Sequence, residues 1–263
     1  MELEINGLTK YFSRFPAVNN ITFTAKSGEI LGYLGPNGAG KTTTMKMLTG
    51  TLEPSSGQIT YTGKSIFDRQ FRREFKKNVG YVPENPHVYG HLSASEYLYM
   101  VGHLRLIEKQ VLKTRIEGLL EYFGLTDHSN RLLGTYSRGM VQKVLITAAL
   151  LDDPEVLVLD EALSGLDVAS TLKVKDLLQV FAAEGKLIIL SSHILEVIEQ
   201  LCSQVIILHQ GEIKLDNSFV KLKTEHKGPE PFSLEKIFRE KVGMRPKESQ
   251  VSILQGIFHG TAS

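Results

Sequence analysis

Over residues 1–27 apolar and polar positions alternate, with Leu3 and Ile5 and then Ile21 and Phe23 on one face. A period of two predicts half-buried strands, and Arg14 to Pro16 supply the turn between them. The pattern changes at Ile30, Leu31, Tyr33 and Leu34, a compact apolar run that predicts a strand ending at Gly35. Residues 43–49 then read as a short helix closed by Gly50, and Pro54 to Gly57 turn the chain into a further strand over residues 58–61. Val79, Tyr81 and Val82 continue the strand pattern until Pro83, Glu84, Asn85 and Pro86 open a loop.

Helical spacing takes over after Ser93. Ser93 and Glu96 form a capping box ahead of Tyr97, Leu98, Met100, Val101 and Leu104. A second helix carries Val111, Leu112, Ile116, Leu119, Leu120 and Phe123 and stops at Gly124; a third, with Ser137 as its N-cap, carries Val144, Leu145, Ala148 and Leu151. Two unbroken apolar runs follow, residues 156–159 and 187–190, with a helical segment over 170–183 between them. Such runs predict strands buried on both faces, as in a parallel sheet. Residues 205–208 and 212–215 form a hairpin across Gln210 and Gly211. Beyond about Asn217 the composition shifts: Gly228 to Pro231 read as a linker, and Ser233 opens a short helix bearing Leu234, Ile237, Phe238 and Val242. No internal repeat is present.

Composition narrows the class without naming a function. The 263 residues are 42% hydrophobic and 22% charged, ordinary for a globular protein with a sizeable core. With 30 Lys and Arg against 29 Asp and Glu, global charge gives no reason to expect nucleic acid or an anionic membrane surface as a partner. The basic run Arg69, Arg72, Arg73, Lys76 and Lys77 reads as a solvated helix face in preference to a membrane-surface patch, since charge runs are usually solvated. Cys202 is the one cysteine, so no internal disulfide forms, and the opening MELEINGLTK lacks the regions of a signal peptide, making the cytoplasm the expected compartment. No apolar run approaches the ~18 residues that span a bilayer. A membrane role is therefore expected to come from a separate subunit.

Chemistry concentrates at three strand ends. GPNGAGKT, residues 35–42, has the G-x-x-x-x-G-K-T spacing of a P-loop, placed between a strand and a helix as that motif demands. Its backbone N–H groups converge on phosphates at the positive end of the helix, Lys41 reaches the β and γ phosphates, and the Thr42 hydroxyl is a ligand for Mg²⁺. The run at 156–159 ends in Asp160 and Glu161. Adjacent carboxylates at the end of a buried strand carry a desolvation cost unless a metal or a reaction occupies them. The first can hold Mg²⁺ through water and the second can direct an attacking water. The run at 187–190 ends in Ser191, Ser192 and His193, and a strand-end histidine taken alone is more often an incidental hydrogen-bonder. In an open α/β sheet these strand ends gather on one edge.

In this order the motifs resemble those of the ATP-binding cassette (ABC) ATPases over roughly residues 1–217. GPNGAGKT resembles the family's Walker A, VLVLDE (156–161) its Walker B, ALSGLD (162–167) its D-loop and SSH its switch histidine, while YSRGM (136–140) stands where the signature LSGGQ belongs. The resemblance implies a P-loop core with a small antiparallel β subdomain, a helical subdomain inserted at about 85–153, and a C-terminal extension over 218–263. It implies that Gly35, Pro36, Asn37, Gly38, Ala39, Gly40, Lys41, Thr42 and Thr43 bind ATP, with Phe12 stacking on adenine. It also implies that Glu161 activates water, that His193 contacts the γ-phosphate beside Lys41, and that Thr42, Asp160 and Glu84 serve Mg²⁺. In a head-to-tail dimer, Ser137, Arg138 and Gly139 would close over ATP held by the other copy, with Asp167 in the D-loop.

Arg138, Met140 and Glu84 depart from the usual glycine, glutamine and glutamine of the family. Together with the SLEKIF segment (233–238) they resemble a branch of export ATPases that pair with separate membrane permeases. The expectation is an ATPase subunit docked on the inner face of the membrane. A non-transport ATPase of the same fold, or an ATP-sensing subunit with weak hydrolysis, are the alternatives.

Overall fold

The computed structural model describes residues 1–85, 88–226 and 231–244. The alternating N-terminal segment forms β1 (Glu2–Tyr11) and β2 (Pro16–Lys26), and the first apolar run forms β3 (Ile30–Leu34), followed by α1 (Lys41–Leu48). Next come β4 (Ser56–Tyr61), β5 (Lys64–Ser65), α2 (Phe71–Lys77) and β6 (Val79–Val82). Three helices, α3 (Ala94–Leu104), α4 (Lys109–Tyr122) and α5 (Arg138–Leu150), separate β6 from β7 (Val156–Asp160). The chain continues through α6 (Val168–Ala183), β8 (Leu187–Ser191), α7 (Leu195–Leu201), β9 (Gln204–His209), β10 (Glu212–Ser218), α8 (Phe219–Glu225) and α9 (Leu234–Lys241).

Two sheets result. The antiparallel one has the order β2-β1-β4-β5; the larger has the order β10-β9-β3-β8-β7-β6. All neighbours in the larger sheet run parallel except β10, which closes one edge by its hairpin with β9. The parallel arrangement explains the unbroken apolar runs, since every residue of β3, β7 and β8 is buried. Successive side chains leave opposite faces. Leu157, Leu159, Ile188 and Leu190 pack with the helices, whereas Val156, Val158, Leu187 and Ile189 pack with Met45 and Leu48 of α1 and with Leu3, Ile5 and Ile59 of the antiparallel sheet. Leu159 is fully buried, and truncating such a residue to alanine costs roughly 2–5 kcal/mol.

The capping box forms as the spacing predicts: Ser93 Oγ accepts from Glu96 N, and a Glu96 carboxylate oxygen accepts from Ser93 N at 2.7 Å. The helix α8 was not foreseen; its Phe219 and Leu222 join the same apolar cluster as Leu234 of α9, so both helices pack on the core. Pro86 and most of the expected linker, residues 228–230, lie outside the described residues.

The strand order has one consequence for chemistry. β8 lies between β3 and β7, so the loops after these three strands emerge side by side on one edge. Ligands of open α/β sheets bind at such carboxyl ends.

Candidate functional site at the carboxyl ends of three parallel strands

The loop after β3 is built for close approach. Gly40 has φ +105°, and a Cβ there would collide with the Ala17 carbonyl oxygen; one on Gly35 would sit 2.5 Å from the Leu208 carbonyl oxygen. Glycine is the residue that fits both places. The loop delivers Lys41 as the first residue of α1, 7% exposed, with Nζ donating to the Gly35 carbonyl at 2.8 Å. Lys41 Nζ also lies 3.7 Å from Glu161 Oε1. The cation is thus drawn onto loop carbonyls and a carboxylate, the positions an incoming phosphate would compete for.

Asp160 and Glu161 occupy different surroundings although they adjoin. Asp160 is fully buried; its Oδ1 accepts from Ser191 Oγ at 2.6 Å, while Oδ2 has no hydrogen-bond partner. Burial raises its pKa above the usual carboxylate range; the hydroxyls of Ser191 and Thr42 pull it down, and the charges of Glu84 and Glu161 push it up. Thr42 Oγ1 donates to Glu84 Oε2 at 3.2 Å. An orphaned buried carboxylate oxygen, a hydroxyl and a second carboxylate are hard oxygen donors suited to Mg²⁺. Among the described residues no group of three or more His, Cys, Asp and Glu could hold a metal unaided.

Glu161 has φ +52°, a left-handed conformation that costs a non-glycine residue about 1 kcal/mol or more. Its backbone N–H donates to Ser191 Oγ at 3.0 Å, and its Oε2 lies 2.7 Å from His193 Nδ1. The turn aims the carboxylate out of the sheet toward Lys41 and His193. Ser191 therefore supports both acids at once, a role not expected from the sequence, where its only signal is its place immediately before Ser192 and His193.

Two cavities flank the loop. One of about 250 Å³ is lined by Ala17, Glu84 and residues 36–43, including Pro36, Asn37, Gly38, Ala39 and Thr43. The other, of about 420 Å³, brings Gly35, Asn37, Glu84, Glu161 and His193 together with Arg138, and is closed by Phe238 of α9 and by Met244. The expectations included no contact between the C-terminal helix and this cavity; Phe238 appeared only as part of an apolar stripe.

The remaining candidates sit apart. Phe12, just past the end of β1, is 67% exposed, with Lys10 Nζ over its ring at 5.7 Å from the centroid. Ser137 caps α5 by accepting from Met140 N at 3.3 Å. Gly139 presses on the loop before α6: a Cβ there would be 2.9 Å from the Gly165 carbonyl oxygen. Asp167 caps α6 through Ser170 N, and the two Ser170 hydrogen bonds, with Lys143 at 3.6 Å, hold its pKa down at about 2.

A mixed α/β fold in which a P-loop, a buried carboxylate pair and a histidine converge on one sheet edge defines a P-loop nucleotide-binding cassette. Residues 18–164 match the family described as ABC transporter. The chain is 40% identical over 212 residues to an uncharacterized ABC transporter ATP-binding protein of Synechocystis, covering 80% of this chain and 59% of that protein. It is 37% identical over 226 residues to the bacitracin transport ATP-binding protein BcrA of Bacillus licheniformis, covering 86% and 72%. A solved ATP-binding subunit of an ABC transporter superposes with a TM-score of 0.84 at 29% identity, covering 92% of this chain and 99% of that one. The chain belongs to the ABC transporter family of ATP-binding subunits.

Proposed function

We propose that this protein is the Mg-dependent ATPase subunit of an exporter, driving a separate membrane permease through ATP-dependent head-to-tail dimerisation. The observation that carries the reading is the convergence of Lys41, Asp160, Glu161 and His193 at the ends of β3, β7 and β8. The B. licheniformis relative is named for bacitracin transport, which supports a role in transport. No helix among the described residues is long and apolar enough to cross a membrane.

In this reading residues 1–217 form the ATPase domain, with its helical part at about 85–153, and 218–263 form an extension. Residues 35–43 cradle the phosphates and Phe12 stacks on adenine. Thr42 and Asp160, with Glu84 beside them, would hold Mg²⁺, which when bound would neutralise phosphate charge. Lys41 leaves the Gly35 carbonyl for the phosphates. Glu161, oriented by its left-handed turn and by His193, accepts a proton from the attacking water, while His193 contacts the γ-phosphate. Ser137, Arg138 and Gly139 act across the dimer, with Asp167 at the same junction.

The test is to isolate the protein with the membrane subunit that accompanies it and measure ATP hydrolysis with and without Mg²⁺. Mg-dependent turnover raised by that subunit is expected. Hydrolysis with no membrane partner retained points to the non-transport alternative, and a retained partner without turnover points to an ATP sensor.

A further inference from the structure

The basic run at residues 69–77 sets five cations against one acid, Glu74, although the whole chain carries a formal charge of only +1. Phe71 and Phe75 anchor α2 in the core, which turns the cations outward. Arg72 is engaged by Glu53 at 2.6 Å. Arg69, Arg73, Lys76 and Lys77 are exposed and have no ion-pair partner among the described residues. All five cations line a groove of about 680 Å³ together with Leu104, Arg105 and Leu106.

The joint between the two halves of this groove is Arg105. Its guanidinium donates to the carbonyls of Lys76, Lys77 and Val79, at 3.1, 3.2 and 3.1 Å, and lies 3.8 Å from Asp152. That clamp fixes the end of α3 against the end of α2. It leaves Leu104 78% and Leu106 80% exposed beside the cations, Leu106 in a left-handed conformation at φ +60°. A solvated helix face needs no such leucines. Clustered Lys and Arg bordered by exposed apolar side chains are what an anionic bilayer surface attracts: charge draws the patch to headgroups and the leucines enter the interface.

We propose that this groove is a contact for anionic phospholipid headgroups, seating the protein on the membrane surface through its own side chains. The proposal goes beyond the exporter reading and needs no permease. Sedimentation of the full chain with vesicles tests it, comparing phosphatidylcholine alone with phosphatidylcholine mixed with phosphatidylglycerol. Binding to the anionic vesicles only, weakening as salt rises, is expected. Each cation near such a surface contributes about fivefold, so R69Q/R73Q/K77Q together should lower partitioning about a hundredfold. The double change L104S/L106S should weaken what binding survives in high salt. All these side chains are exposed, so the variants should keep the parent's unfolding temperature and nucleotide binding. Equal binding to neutral and anionic vesicles, no binding to either, a triple variant that sediments like the parent, or retention by RNA without retention by vesicles would each overturn it.

Discussion

Glu161 Oε2 lies 2.7 Å from His193 Nδ1, and the His193 backbone N–H donates to the same oxygen at 3.3 Å. One carboxylate oxygen is thereby held by the residue two positions beyond the neighbouring strand, which leaves Oε1 facing Lys41 at 3.7 Å. The carboxylate is oriented by His193 from one side and faces Lys41 on the other. In the proposed function it is this carboxylate that takes up the proton of the attacking water.

The first prediction follows from that orientation. Glu161→Gln keeps the shape of the side chain and an oxygen for His193 but cannot take up the water's proton. Turnover should fall by about 10²–10⁴ while ATP still binds, and an ATP-bound dimer should accumulate on size exclusion. Hydrolysis at the parent's rate would remove Glu161 as the base.

His193→Ala separates orientation from proton transfer. It removes the Nδ1 contact to Oε2 while the backbone N–H of residue 193 stays on that oxygen, and at 59% side-chain exposure the histidine can be removed without opening the core. Turnover should drop at least about tenfold with ATP affinity little changed, a loss of transition-state stabilisation rather than of ground-state binding. An equal loss in both would make His193 a simple ATP contact.

Much of this arrangement was legible in the sequence, for physical reasons that differ by residue. GPNGAGKT announces itself because backbone approach to phosphate requires glycine at fixed places, as Gly35 and Gly40 illustrate. Asp160 stands out because a buried apolar strand ending in a carboxylate is costly without a function. Ser191 gave no such signal. A serine is cheap to bury once hydrogen-bonded, and its two partners lie 30 and 31 positions away, joined only by the pairing of β7 with β8. Phe238 was hidden for the opposite reason, since an apolar residue on an amphipathic helix is explained by packing alone. The helix α8 escaped because its seven residues FVKLKTE carry too few apolar positions for periodicity to register.

Ser191 yields a prediction of its own. Its hydroxyl donates to Asp160 Oδ1 at 2.6 Å and accepts from Glu161 N at 3.0 Å. Ser191→Ala should weaken Mg²⁺ binding with nucleotide by roughly 10–100-fold, as loss of a group that orients a metal ligand does. Titrating turnover with Mg²⁺ reads this directly. Recovery of activity at high Mg²⁺ is expected, and an unchanged Mg²⁺ requirement would count against Asp160 as a ligand.

Asp160 contributes one part of the pH dependence of stability. Burial raises its folded pKa above the unfolded value, so the folded state holds the proton more tightly. Its contribution favours folding below the ordinary carboxylate value and is lost as pH rises from there through the raised value. Asp160→Asn removes that slope, and without metal the variant should be more stable than the parent at neutral pH. Adding Mg²⁺ with a nonhydrolysable nucleotide should raise the parent's unfolding temperature and barely move that of the variant. A variant less stable than the parent without metal would mean that Asp160 is held chiefly for its bond with Ser191.

Gly139 tests the reading of residues 137–139 as a surface that acts on a second copy. A Cβ there would lie 2.9 Å from the Gly165 carbonyl oxygen, with Leu166 Cα 3.9 Å away, so the N-terminus of α5 rests directly on the loop before α6. Gly139→Ala must push these segments apart. Overpacking of this kind costs roughly 1–3 kcal/mol, and here the strain falls between Arg138 at the end of one segment and Asp167 at the end of the other. Lys41, Thr42 and Phe12 do not touch this junction, so ATP binding to the monomer should stay within about threefold of the parent, while ATP-dependent dimerisation and turnover fall about tenfold or more, given a tenfold change for each ~1.4 kcal/mol. Fluorescent nucleotide binding and light scattering on the same sample separate the two. If dimerisation and turnover were unaffected, the signature segment would have no part in joining the subunits; if ATP binding by the monomer were lost as well, it would be acting within its own chain, where Arg138 already borders the cavity that holds Asn37, Glu161 and His193.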